Sequence, residues 1–423
     1  VNEFPIKTKT GCILKWSWST IFLKQGETNS CHRCALLPID PDNFANFHNL
    51  PGKVEARETM LRGEWPQAGC QSCQRIEEAG GKSYRMNQFD TGRNNGVIPI
   101  ELFDDPTATE VVPTILEIYF NNVCNMACVY CDERLSSKWE EENRKFGSYS
   151  IGNTPLINKY VNTPHYDQML SEFWRYLENY GHRLRVFQIL GGEPFFQKEF
   201  DDALDFWEAH PNPQLSIVIV TNLKVPPKKF KAYLERFKRM IAAGACREFH
   251  IAASLDAWGP AEEYVRQGLD LEEWRENFEY AITQPLIKLG INATISSLTI
   301  KGFAELLCNI SKWNKIRQEY TSNIQMKNIK LSFQNLTHPT VMRGSWFGPG
   351  VFDDDFAAAL AAMPEGDPEY DHAKEYLLGI SKEWSNGAKN VERINELKVY
   401  LTELDRRRNT NWKETFPWLN KEW

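Results

Sequence analysis

TILEIYFNNVCNMACVYC, residues 114 to 131, joins an apolar run of strand-forming residues to a loop that carries Cys124, Cys128 and Cys131. Five more runs of the same kind follow: RVFQIL from 185, LSIVIVTNL from 215, EFHIAASLD from 248, INATISSL from 291 and NIKLSFQNL from 328. Between them lie DQMLSEFWRYLENYG, KKFKAYLERFKRMIAAG and AELLCNISKWNKIRQEY, whose apolar residues recur every three or four positions and so line one face of a helix. The first two close on Gly, a usual helix stop. Their aromatic stripes read as core packing. Strands alternating with helices imply parallel pairing through right-handed crossovers, and hence an α/β fold over residues 112–340.

The flanks read differently. Residues 1–105 hold Cys12, Cys31, Cys34, Cys70 and Cys73 among short, turn-rich segments and close on GGKSYRMNQFDTGRNNG, a loop composition. A small metal-stapled domain is expected there. Residues 350–423 carry DDDFAAALAAM, DHAKEYLLGISKEW and VERINELKVYLTELDRRR, a helical extension. The arginines at 406 to 408 fall at a helix C-terminus, where positive charge favours the helix dipole, and are expected to be solvated.

Composition narrows the class. With 42% hydrophobic and 25% charged residues, 14 Trp and 24 Phe, the chain has a folded composition rather than a disordered one. A formal charge of -7 offers no general basic field for a phosphate backbone, which argues against nucleic acid as a partner. No stretch approaches membrane-spanning length and the first residues lack a signal-peptide pattern, so a cytoplasmic location is expected. Ten cysteines in 423 residues are too sparse for a disulfide scaffold, and eight of them are grouped before position 132. Grouped cysteines in a reducing compartment point to metal. Cys246 and Cys308, by contrast, fall in strand-entry and helical stretches and are expected in the core. The sequons at Asn292, Asn309 and Asn335 read as chance matches.

The loop after the first strand is the kind of place where barrels put chemistry. A structural zinc site wants four ligands, commonly from two knuckles, whereas here three thiols come from one short loop with no fourth nearby. Three thiolates can instead hold three irons of a [4Fe-4S] cluster and leave one iron open. Cys124-x3-Cys128-x2-Cys131, with Tyr130 just before the last cysteine, resembles the signature of the radical S-adenosylmethionine (SAM) superfamily. The resemblance implies that the amino and carboxylate groups of SAM chelate the open iron and that Tyr130 lies against the adenine. It implies a partial (β/α)6 TIM-like barrel.

Further along, RVFQIL runs into Gly191, Gly192, Glu193 and Pro194, and two glycines at a strand end permit close backbone approach to a ligand. This GGEP turn is similar to the family motif that receives the SAM amino group. Strand ends also supply Thr221 with Asn222, and Ser254 with Asp256, and Arg266 follows in AEEYVRQG. By resemblance, Asn222 and Ser254 suit the ribose hydroxyls and Arg266 the methionine carboxylate. Ordinary turn chemistry and a salt bridge are the plainer alternatives, and Thr221 and Asp256 rank lower.

Cys12-x13-Gly26-x4-Cys31, then Cys70-x2-Cys73, resembles the leading half of the SPASM auxiliary-cluster motif, the single-cluster form called twitch, here placed before the barrel. On that resemblance Cys12, Cys31, Cys70 and Cys73 are expected to hold a second [4Fe-4S] cluster, with Cys34 spare. The alternative is a zinc ribbon on the Cys31/Cys34 and Cys70/Cys73 pairs, with Cys12 spare. The whole implies reductive cleavage of SAM to a 5'-deoxyadenosyl radical that abstracts a substrate hydrogen, with an external donor such as a flavodoxin or ferredoxin. A peptide is the leading substrate, a small metabolite or nucleotide the second. A non-catalytic iron–sulfur electron carrier or scaffold is the reading from another class.

Overall fold

The computed structural model describes residues 5–422 apart from 68, 79, 81–82, 87–96, 152–153, 324 and 366–367. In chain order the strands are β1 Trp18–Phe22, β2 Glu27–Asn29, β3 Leu37–Pro38, β4 Ile115–Tyr119, β5 Tyr149–Ile151, β6 Thr154–Ile157, β7 Val186–Leu190, β8 Asn212–Thr221, β9 Cys246–Ser254, β10 Ile287–Ile295 and β11 Lys330–Asn335. The chain divides into two compact units, one of residues 1–122, 161–219 and 240–248, the other of 123–160, 220–239 and 249–423.

In the first unit β4 pairs in parallel with β7, and β7 with β8. On its other edge β4 pairs in parallel with β1, which continues antiparallel into β2 and β3. Side chains alternate across the sheet as the pleat requires. Leu116, Ile118, Phe187, Ile189, Ile217 and Ile219 form one fully buried apolar face. Phe187 packs there against Phe173 of helix Tyr166–Tyr180 and Trp207 of helix Lys198–Ala209, with ring centroids 6.4 and 5.7 Å away. Glu117, Tyr119 and Gln188 point the opposite way. The turn-rich reading of the first region missed β1, and the boundary expected near residue 105 lies inside this unit. Of the stretch expected as loop at 80–96, residues 81–82 and 87–96 lie outside the described residues.

In the second unit β9, β10 and β11 pair in parallel. Phe249, Ile251, Leu289 and Ile291 are buried, and Phe249 stacks on Phe237 with centroids 4.1 Å apart. Partly exposed residues alternate with them: His250 and Ser254 on β9, Lys288, Asn292 and Thr294 on β10. A parallel sheet covered on both faces reads as continuous apolar runs, so this alternation marks a sheet with one polar face. All six strands expected after residue 112 are present, and the expected helices lie at Tyr166–Tyr180, Pro227–Ala242 and Ile300–Tyr320. The C-terminal extension is helical at Asp353–Ala362, Pro368–Ser385 and Val391–Arg408. Among the described residues no helix is long and apolar enough to cross a membrane.

Two expectations fail here. Cys246 is buried, as expected, but Cys308 is exposed, because its position on helix Ile300–Tyr320 falls outside the apolar stripe of Phe303, Leu306, Leu307 and Ile310. Of the arginines at the end of helix Val391–Arg408, Arg406 is exposed as expected, but the other two are not. Arg407 and Arg408 have side chains 1% and 5% exposed and pair with Glu142 at 3.7 and 3.0 Å. Arg407 also pairs with Glu403 at 2.7 Å, and Arg408 lies over the Trp139 ring at 4.5 Å.

Candidate metal centre and cofactor site

The loop of Cys124, Cys128 and Cys131 is held by its backbone. Ala127 and Val129 donate their N–H groups to the carbonyls of Gln267 and Val265, at 2.9 and 2.8 Å, so the loop lies along the segment that follows helix Pro260–Val265. Its own carbonyls are taken by side chains: Met126 O by Ser136 at 2.6 Å, Cys128 O by the Trp139 indole at 2.8 Å, and Val129 O by Tyr400 at 2.7 Å. Buried Trp139 and Tyr400 therefore support the thiol loop. Neither carries a sequence signal, since each reads as an ordinary core aromatic. Cys124, Cys128 and Cys131 are each intermediate in exposure as whole residues, and Cys131 N–H closes a turn on Cys128 O at 3.0 Å. Burial among acidic neighbours pushes the Cys128 thiol up to about 11 and raises that of Cys131 well above the usual thiol range.

Among the sequence-singled residues of this second unit, Asn222 is brought to the loop, its amide 3.9 Å from Cys124 Sγ and 2.8 Å from Asn125 Oδ1. Thr221 accepts from Leu223 N–H at 2.9 Å, which is turn chemistry. Ser254 ends β9 opposite Asn292. The Tyr130 hydroxyl donates to Asp256, whose other oxygen accepts from Arg266 at 2.8 Å and from Thr294 N–H at 2.7 Å. Arg266 also faces Glu262 at 2.9 Å and lies 5.7 Å from the centre of the Tyr130 ring. Asp256 and Glu262 are fully buried and Arg266 nearly so. The guanidinium expected at the SAM carboxylate is thus already committed to two carboxylates. Burial, with Asp256 beside it, pushes the Glu262 carboxyl above the usual carboxylate range.

The GGEP turn belongs to the first unit. Gly191 and Gly192 adopt φ of 82° and 59°, left-handed conformations that favour glycine. A Cβ on Gly191 would lie 2.2 Å from the Tyr119 ring. Glu193 is buried and caps the Pro194–Phe196 turn by accepting from Phe195 N–H at 3.4 Å, and Gln197 holds Gly191 O at 2.6 Å.

All five N-terminal cysteines line one pocket in this first unit, walled by Leu14, Met60, Trp65 and Tyr84. Cys34, expected to be spare, lines it too, and its sulfur accepts from the buried Lys15 ammonium at 2.9 Å. A pair that sequence reading did not single out lies nearby in sequence: His32 Nε2 is 2.9 Å from the buried Glu117 carboxylate on β4, which also accepts from Thr20 at 2.6 Å. Among the described residues no three Cys, His, Asp or Glu side chains stand in a grip ready for an ion. The donor chemistry nevertheless fits both groups that the sequence resemblance implies: three thiols on one short pinned loop for an open-site cluster, and a thiol-lined pocket for a second thiophilic centre.

Comparison with known proteins bears on the first of these. No curated protein matches the chain. Among solved structures, Streptococcus suis SuiB aligns over 76% of this chain and 71% of its own length, with 13% identity and a TM-score of 0.34. The Radical SAM superfamily matches residues 118–303, a span that takes in the three-thiol loop, the GGEP turn, Asn222, Ser254 and Arg266, and the chain therefore carries a Radical SAM superfamily domain.

Proposed function

We propose that this protein is a radical SAM enzyme in which Cys124, Cys128 and Cys131 hold a [4Fe-4S] cluster with one iron left for SAM. The observation that carries this reading is the pinned loop itself, which presents three thiols within the span matched by the superfamily. When bound, the cluster and SAM supply one-electron reductive cleavage and removal of a hydrogen atom from the substrate. The chain's residues bind, orient and exclude water. We assign Tyr130 to the adenine, the GGEP turn to the SAM amino group, and Asn222 and Ser254 to the ribose. Arg266 is assigned to positioning instead: its ion pairs with Asp256 and Glu262 hold the acceptor of the Tyr130 hydroxyl.

On this reading the parallel strands belong to a partial (β/α)6 barrel, an external flavodoxin or ferredoxin delivers the electron, and the substrate is a peptide. The substrate class rests on the likeness of the first region to the twitch module. Four of the five N-terminal thiols hold a second metal centre, for which the sequence spacing favours Cys12, Cys31, Cys70 and Cys73 around a [4Fe-4S] cluster.

The test is anaerobic reconstitution followed by electron paramagnetic resonance with and without SAM. Addition of SAM is expected to change the signal of the reduced cluster, and the protein is expected to form 5'-deoxyadenosine. An unchanged signal from a fully reduced cluster sinks the assignment. A normal spectral change without 5'-deoxyadenosine favours an electron carrier.

A further inference from the structure

We infer that the N-terminal metal centre is built on two thiol pairs, Cys31 with Cys34 and Cys70 with Cys73, that the Lys15 ammonium is a fixed hydrogen-bond donor to the Cys34 sulfur, and that Cys12 stands outside the ligand set. The inference rests on the reading that this region binds a thiophilic metal, and decides which sulfurs do so.

The two pairs are formed as knuckles. Cys34 N–H closes on Cys31 O at 2.9 Å, and helix Gln71–Glu78 starts directly after Cys70, with Gln74 N–H on Cys70 O at 3.1 Å. The knuckles are in backbone contact. At φ of 87°, Gly69 sits so close that a Cβ there would lie 2.4 Å from Arg33 O and 2.6 Å from Cys34 Cα. Arg33 adds a hydrogen bond to Ser72 at 3.1 Å. Cys34 lines the same pocket as Cys31 of its own pair and Cys70 and Cys73 of the other.

Lys15 supplies the second argument. Four cations are buried in this region: Arg85 pairs with Glu77, and two others spend their N–H groups on neutral acceptors. Lys53 donates to Ser19, Thr28 and Asn29 O, and Arg57 to Lys15 O, Asn49, Thr109 O and His48. Lys15, 6% exposed, donates to the Cys34 sulfur. Among the described residues no carboxylate is in ion-pair contact with it. A buried ammonium is costly without an anion beside it. Four thiolates around zinc, or around a four-iron cluster, retain net negative charge, which is the compensation this ammonium requires.

Cys12 is the residue before helix Ile13–Ser17 and packs in the apolar cluster of Ile13, Leu14, Trp16 and Met60, which also takes in Cys70. Unlike Cys70 it belongs to neither Cys-x2-Cys pair, and a four-sulfur centre on the two pairs leaves it a core thiol.

The experiment uses the full chain with Cys124, Cys128 and Cys131 all replaced by Ala, so that only the N-terminal centre can hold metal. Iron, sulfide and zinc are measured after anaerobic purification, and circular dichroism checks each variant against its parent. The parent is expected to retain one zinc or about four irons with sulfide, which also distinguishes the two metals. Adding Cys34→Ser is expected to abolish the bound metal, and adding Cys12→Ser to leave it. Loss with Cys12→Ser, or retention with Cys34→Ser, overturns the ligand set while the metal centre stands. A parent without metal overturns the metal centre and the inference with it. Lys15→Met needs no cysteine change: it is expected to keep the metal and shift the thiolate-to-metal charge-transfer bands, with Lys15→Arg restoring them in part. Bands unmoved by Lys15→Met overturn the role of Lys15.

Discussion

The loop of Cys124, Cys128 and Cys131 is held through its backbone and presents three thiols, whereas in the N-terminal region five thiols line one pocket and Lys15 donates to one of them. In the loop, Gln267 O, Val265 O, Trp139 and Tyr400 fix the peptide groups of a segment that presents three thiols. In the pocket, five thiols share one lining, Cys34 accepts from Lys15, and Cys12, Cys70 and Cys73 are buried. The first arrangement suits a centre that must receive a small molecule, the second a centre closed by protein ligands alone. Open and closed coordination is the same distinction that separates catalytic from structural metal sites.

Removing a thiol from the open loop gives the largest expected effect. Cys128→Ala is expected to lower 5'-deoxyadenosine formation by more than about a hundredfold, since loss of a metal ligand exceeds the 10–100-fold typical of its supporting partners. Metal in the N-terminal pocket is expected to remain, and its loss in this variant breaks the separation drawn between the two centres.

Arg266→Gln tests the pin behind Tyr130. It leaves two buried carboxylates without their counter-charge, and urea unfolding is expected to show a loss of about 3–5 kcal/mol. If stability holds while SAM affinity falls, Arg266 contacts the ligand instead. Gly69→Ala acts on the closed pocket alone: the added Cβ meets the Arg33 and Cys34 backbone, at an expected cost of about 2–3 kcal/mol with loss of N-terminal metal. Reductive cleavage of SAM by a reduced [4Fe-4S] loop centre is the activity that should survive. Tyr130→Phe is the mildest change. Losing the hydroxyl while keeping the ring is expected to cost about 1–2 kcal/mol of stability, with SAM affinity retained within about threefold. A collapse of SAM binding in that variant shows that the hydroxyl, rather than the ring face, meets the cofactor.

Much of this architecture is legible along the chain. The apolar runs after residue 112 are strands, the three-to-four spaced stretches are helices, and the Cys124, Cys128 and Cys131 spacing lies on one short loop. Such features are local: pleat and helix periodicity repeat within a few residues, so composition alone carries them. The GGEP turn is local too, because left-handed backbone at Gly191 and Gly192 follows from the lack of a Cβ.

Choice of partner is not local, and there the tertiary structure decided. Segment 18–22, in a region that reads as turns, becomes a strand because the edge of β4 offers it unpaired N–H and C=O groups. Arg407 and Arg408, charges that favour water, are buried because Glu142 and Glu403 come within reach of them. Arg266, well suited to a ligand carboxylate, is taken by Asp256 and Glu262. Cys34, left over by the Cys12, Cys31, Cys70 and Cys73 spacing, becomes the sulfur that accepts from a buried ammonium. A burial cost falls on each charged group alone, but its compensation comes from whichever group the fold brings beside it, and residue spacing does not encode that neighbour.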